Sequence, residues 1–357
     1  MHLNTKELQG SMGFIGFQQL AAGLALLLYL AAGAGPIQAE SLDLGKNNAG
    51  LSIGNSKNWT GLRLNISDSG VERIEGVNLT FWKADQNKEA RVTGLSLGLI
   101  APEAGVLHGV QIGILGVAAE RELTGISLGL LGAGSGGRMS GISFGGLGAG
   151  AGSDMTGITI GGLGAGAGQN LHGITIALLG AGAGKNMSGI SLSGLGAGAG
   201  ENAAGLIIGG LGAGAGHNLS GIAIALLGAG AGKNMTGITC AGLGAGAGER
   251  MTGLAVAGLG AGAPVVRGIA AAVLAAGGRD IRGVILSAGW TNISEGGSLT
   301  GLAVGSFNQI RGSQTGLVIG IVNYAHSLNG IQIGLINHVR DNPKYFRTLP
   351  LVNAHFE

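Results

Sequence analysis

Residues 173–188 read GITIALLGAGAGKNMS, and residues 221–236 read GIAIALLGAGAGKNMT. The same phrase recurs around them. Gly125, Gly141, Gly157, Gly173, Gly189, Gly205, Gly221, Gly237 and Gly253 follow one another at one constant interval. Looser copies begin at Gly61, Gly76, Gly94 and Gly109 upstream, and at Gly268, Gly283, Gly301, Gly316 and Gly330 downstream, with intervals slightly shorter or longer. A short fixed period is the mark of a repeat architecture, in which each unit buries its apolar face only against its neighbours. The repeat runs from about residue 50 to 340, and no linker divides it.

With the leading glycine as position 0, positions 1 and 3 are Ile, Leu or Val and position 2 is usually Ser or Thr. Alternation with a period of two predicts a strand. Leu follows at position 6, then Gly-Ala-Gly-Ala-Gly at positions 7 to 11, two polar residues, Met or Leu, and Ser or Thr. A helix is disfavoured, because each interior glycine costs ~1 kcal/mol and a unit carries several. Residues 141–267 hold seven charges, and six fall at positions 12 and 13. That pair therefore predicts a solvated turn. The insertions in the units at Gly76 and Gly283 lie at or beside the same phase, where surface turns tolerate them.

Three all-β architectures fit this grammar. The first is a β-solenoid in which the repeat period sets the coil at about 16 residues per coil, with two short strands in each. There Ile174 and Ile176 would point inward from one wall, Leu179, Ala181 and Ala183 from the other, with Met187 in the corner. The second is a closed antiparallel ring or barrel with one strand per repeat. A membrane barrel would need aromatic girdles and alternating turn lengths, whereas residues 125–267 hold one aromatic, Phe144. The third is a silk-like polymer, which would not need the regular Ile and Asn columns. The sequence favours the solenoid, with residues 40–93 as N-terminal capping repeats, 94–340 as the glycine-rich array and 341–357 as a C-terminal cap.

Composition narrows the function. The chain has 357 residues, 78 of them Gly, with 45% hydrophobic and 11% charged residues and a net charge of +2. Disordered chains are charged and poor in aliphatics, and collagen needs Gly at every third residue, so both are excluded. No basic stripe suggests nucleic acid as a partner. The single cysteine, Cys240, has no intramolecular disulfide partner. Near the N-terminus, Lys6 precedes the apolar run LAAGLALLLYLAAGAG (20–35), and Ile37-Gln38-Ala39 resembles a cleavage site. Residues 1–39 therefore read as an export signal, with a retained anchor as the alternative.

Gly316-Leu-Val-Ile-Gly-Ile-Val-Asn323 and Gly330-Ile-Gln-Ile-Gly-Leu-Ile-Asn337 resemble the Gly-Leu-Gln-Ile-Gly-Leu-Ile-Asn unit of bacterial surface-repeat proteins. Trp59-Thr-Gly-Leu-Arg-Leu-Asn65, Gly76-Val-Asn-Leu-Thr-Phe-Trp82 and the closing Leu349-Pro-Leu-Val-Asn353 are similar to that family's terminal segments. The chain departs from the pattern in its middle, where Gly-Ala-Gly-Ala-Gly replaces the Asn-containing half. The resemblance implies an exported bacterial protein at the cell surface, and it carries over no catalytic residue.

Motifs that suggest chemistry are by-products of the repeat. Gly-x-Ser-x-Gly surrounds Ser52, Ser96, Ser127 and Ser143, but a nucleophile elbow needs a strand-to-helix turn with His and an acid beside it. Gly132-Ala-Gly-Ser-Gly-Gly137 lacks the following helix and acid of a dinucleotide site. The histidines have no metal spacing. Two columns remain. Asn170, Asn186, Asn202, Asn218 and Asn234 at position 13 predict a structural turn ladder. Ser127, Ser143, Thr159, Thr175, Ser191 and Thr239 at position 2 would face outward if position 1 faces in, as a row able to bind a surface.

These features predict a non-enzymatic exported surface or extracellular repeat protein, structural or adhesive. It needs no cofactor, and its partner is the cell envelope, a glycan or another copy of itself. An outer-membrane barrel or channel, and a secreted ice- or glycan-binding solenoid, are the alternatives.

Overall fold

The computed structural model describes residues 41–356. They form an all-β solenoid of about 17 turns with ~16 residues per coil. One coil shows how the grammar becomes structure. The strand Asn170–Ala177 runs along one wall and the chain turns at Leu178 and Leu179. The strand Gly180–Ala183 makes the opposite, shorter wall. A second corner at Gly184 and Lys185 delivers the chain to Asn186–Ser193, which lies beside Asn170–Ala177. Pairing is parallel and in register, with Gly173 beside Gly189, Ile174 beside Ile190 and Gly180 beside Gly196. The antiparallel ring is therefore excluded: each strand lies next to its equivalent one coil on, reached by two corners rather than by a hairpin. At a strand spacing of ~4.8 Å the stack is a rod roughly 80 Å long.

The rod's ends differ from its shaft. The hairpin of Leu42–Lys46 and Ala49–Ile53 is antiparallel, and parallel stacking begins on its second strand, which pairs with Asn58–Asn65. At the other end, Thr348–His355 reverses direction and pairs antiparallel with Val322–Val339. Both terminal edges thus carry an antiparallel strand, the first only five residues long and ending in Lys46, the last holding Pro350, features that blunt an open sheet edge. The export signal read in residues 1–39 lies outside the described residues.

The direction of the side chains is the main correction to the sequence reading. Ile174 and Ile176, expected inside, are 36% and 39% exposed, whereas Thr175 between them is 2% exposed. Leu179 also faces out, while Ala181, Ala183 and Met187 are buried as expected. Inward positions are 2, 4, 8, 10 and 14. The cause is the width of the coil. The short wall contributes only Ala methyl groups, Ala181 packs against Ala177 of the long wall, and position 2 in the coils of constant period is Thr, Ser or Ala, with Ile207 the one larger residue there. Long side chains inside the shaft gather at position 14, as at Leu171, Met187 and Met235, with Ile207 at position 2 the exception. Replacing Thr175 by Tyr is expected to overpack the coil and cost roughly 1–3 kcal/mol or more, whereas Ile174→Thr stays within about 0.5 kcal/mol. Urea midpoints read by circular dichroism decide; the opposite ranking would reverse the assigned facing.

Candidate functional site: an outward aliphatic wall

The inverted facing moves the predicted binding row indoors. Ser127, Ser143, Thr159, Thr175, Ser191 and Thr239 are all buried. Their hydroxyls form an internal column that no ice surface or polysaccharide can reach, so the reading of this row as a binding surface is withdrawn. Ser127 Oγ lies 3.1 Å from the Gln111 amide, and Ser191 Oγ has no hydrogen-bond partner. The serines of the four Gly-x-Ser-x-Gly matches share this inward column.

The asparagine column is a ladder of amide hydrogen bonds. Each Nδ2 donates to the Oδ1 one coil back, over 2.9 Å from Asn186 to Asn170 and from Asn202 to Asn186. The distances are 2.7 Å from Asn218 to Asn202 and 2.9 Å from Asn234 to Asn218. Asn170 closes the ladder on Asp154 at 2.8 Å. Each amide is half-buried beside the charged corner, and from Asn170 to Asn218 both its carbonyl and its amino group are used within the column. The column is a structural seam.

A second ladder lies inside the C-terminal coils. Asn308 Nδ2 donates to Asn323 Oδ1 at 2.8 Å, and Asn323 Nδ2 to Asn337 Oδ1 at 2.7 Å. Asn323 and Asn337 are the asparagines of the Gly-x-x-x-Gly-x-x-Asn phrase. The Asn308 and Asn323 amides also reach backbone carbonyls, which satisfies groups that burial would otherwise leave costly. Near the other end, Arg63 is fully buried and ion-paired with Asp68. Its guanidinium also donates to Asn78 Oδ1 at 2.8 Å and Asn55 Oδ1 at 2.9 Å.

What the rod offers to a partner is the long wall. Positions 1 and 3 from Leu51 to Ile333 are aliphatic in every coil except for Phe144, Cys240 and Ala271, and none is charged. All of them are exposed or half-buried. At the adjoining corner Leu178 and Leu226 stand 65% and 67% exposed. Monomeric proteins seldom expose a contiguous apolar patch beyond ~300–600 Å², and larger ones mark interaction sites. A dent of about 420 Å³ in the wall lies where Ala271 interrupts the ridge between Val256 and Leu286. Charges sit on the opposite corner and carry both signs, as at Lys185, Glu201, Lys233 and Glu249. The signal for this wall was present in the sequence, as two columns without a single charge, but hydropathy assigned them to the interior.

Among the described residues no group of three or more His, Cys, Asp and Glu side chains is placed to hold a metal ion. No helix among them is long and apolar enough to cross a membrane. Fold and site together define a glycine-rich β-solenoid with one aliphatic wall. Comparison with protein-family models, characterised proteins and solved structures finds no match for this chain.

Proposed function

We infer that the protein is an exported, non-enzymatic rod with a structural or adhesive role, and that the aliphatic wall is its working surface. The observation that carries this reading is the wall itself: two outward columns without a charge along the whole stack. Exposing so much apolar area is unfavourable in water at ~25 cal/mol per Å², so the wall is built to be covered. The apolar run at 20–35, the cleavage-like Ile37-Gln38-Ala39 and the resemblance of residues 316–337 to bacterial surface repeats support export to the cell envelope.

Fractionation of expressing bacteria tests it. The chain is expected in the envelope or the medium, shortened at its N-terminus, and released from membranes by alkaline or urea washes. Replacing Ile174 and Ile190 together by Lys is expected to lower the envelope-bound fraction several-fold while leaving the circular dichroism spectrum unchanged. A full-length chain confined to the cytoplasm would sink the proposal.

A further inference from the structure

The corner next to the wall has a rhythm of its own. From Leu130 to Ile321 position 5 is bulky in every third coil, at Leu130, Leu178, Leu226, Val273 and Ile321, whereas outside that stretch Leu99, Ile114 and Leu335 stand in adjoining coils. Between Leu130 and Val273 the same position is otherwise Gly: Gly146, Gly162, Gly194, Gly210, Gly242 and Gly258. Knobs of three-coil spacing, ~14 Å apart at the strand repeat, therefore alternate with bare gaps. The wall beside them has one aromatic bump, Phe144, and one dent, at Ala271. Counted in coils, the bump and the dent lie equally far from the coil that starts at Gly205.

We propose that two copies of this chain pack wall to wall as an antiparallel pair, with a twofold axis crossing the rod at the Gly205 coil. The inference rests on the reading of the wall as a binding surface and names what covers it. A twofold axis lying in the interface across the rod places each column against the same column of the second copy, with coil order reversed. Phe144 then enters the partner copy's dent at Ala271. Ile176 faces Cys240, the smallest side chain on this column after Ala271, and Ile208 on the axis meets its own counterpart. At the corner, Leu178 falls opposite Gly242, Leu226 opposite Gly194, Val273 opposite Gly146 and Leu130 opposite Ala288. At position 5 no bulky residue meets another across the thirteen coils from Gly109 to Gly301. Beyond them Leu99 would meet Ile321, which bounds the seam.

The area suffices. Thirteen coils at ~4.8 Å and a wall about four residues wide at ~3.3 Å per residue give a footprint of roughly 800 Å² per copy, which is what a stable interface of standard size requires. The isologous arrangement is also the commonest in soluble oligomers. A lipid surface fits less well. Anionic membranes select a basic rim, and the charged corner carries acids and bases alike.

The native thiol makes the register testable by disulfide formation in intact cells expressing the full chain, with copper–phenanthroline as oxidant. Cys240 is a free thiol on the wall, and in this register two copies of it do not meet. The unmodified chain is expected to remain a single-mass band on a non-reducing gel. Ile176→Cys, with Cys240 retained, is expected to give a band of doubled mass that reductant removes. The same substitution with Cys240→Ser is expected to lose that band, and Ile208→Cys with Cys240→Ser to restore it. All these positions are on the wall, not in the core, and circular dichroism checks that each variant keeps its strands. Sedimentation of the unmodified full chain is the second measurement, with a dimer expected. A monomer by sedimentation, a failure of both cysteine pairs to cross-link, or equal cross-linking at every position would overturn the proposal. A monomer that floats with phosphatidylcholine vesicles would overturn it in favour of lipid. Because sedimentation of the purified chain does not depend on where the chain is delivered, it is separable from the fractionation that tests export.

Discussion

Gly205→Ala is expected to disrupt the stack, whereas Gly182→Ala, two coils earlier, is expected to leave it intact. Gly205 has φ 108°, which L-residues rarely adopt, and a Cβ there would lie 2.2 Å from the carbonyl oxygen of Gly189. The atom in the way is backbone held in the parallel ladder, so it has no rotamer by which to yield. Backbone strain of ~1–3 kcal/mol and overpacking of ~1–3 kcal/mol act together, for a total loss of about 3 kcal/mol or more. At Gly182 the φ is ordinary and the nearest atom to an added Cβ, the Gly198 oxygen, is 3.9 Å away. Alanine there stiffens the unfolded chain and is expected to change stability by no more than about 1 kcal/mol, in the stabilising direction. Thermal midpoints of the two variants provide the check. Equal midpoints would mean that the glycine column is not what limits the approach of successive coils.

Arg63→Ala is expected to cost about 3–5 kcal/mol, because it strands the buried Asp68 carboxylate. Asp68 would keep donors from Asn65 at 3.0 Å and Asn78 at 2.9 Å, but these are neutral and do not replace the guanidinium. Replacing both members together, Arg63→Met with Asp68→Leu, removes the unpaired charge and is expected to recover most of the loss. Buried ion pairs are often matched by apolar residues of similar volume. Denaturation midpoints of the single and double variants decide. A double variant as unstable as the single one would show that the Asn55, Asn65 and Asn78 amides depend on the pair for their own hydrogen bonding. The same network holds the first coils, so the single variant is expected to lose N-terminal strands before the shaft melts.

The sequence disclosed the period, the strands, the two corners and the asparagine seam. Each is a one-dimensional signal: recurring glycines, alternation, clustered charges, and an amide at one phase. The facing of the long wall was not legible in the same way. Alternation at Ile174, Thr175 and Ile176 fixes which residues share a side but not which side is inside. Hydropathy supplied that choice and supplied it wrongly. The deciding quantity was volume: a wall of Ala181 and Ala183 forms a thin coil whose opposite inward column is mostly Thr, Ser or Ala, with Ile207 the one larger residue among the coils of constant period. The Gly-Ala-Gly-Ala run already held that information, since a wall built from methyl groups forms a thin coil. For the same reason hydropathy alone places the wall that marks the candidate site in the core, and the buried Ser and Thr column on the surface. The two end clusters were legible only as composition. Arg63 stands at the usual Ser or Thr position, and nothing short of the fold reveals that Asn55, Asp68 and Asn78 converge on it.

The in-register stacking of the shaft bears on how such a gene changes. Units 173–188 and 221–236 differ at few positions and lie three coils apart. Unequal recombination between them deletes or duplicates whole coils, and the new junction joins Gly to Gly, Ile to Ile and Asn to Asn as the old ones did. No corner is broken and no seam is interrupted. The exchange also preserves the three-coil rhythm of Leu178 and Leu226. The rod is therefore free to vary in length between generations while its cross-section stays constant, and natural selection can tune its reach without redesigning its fold.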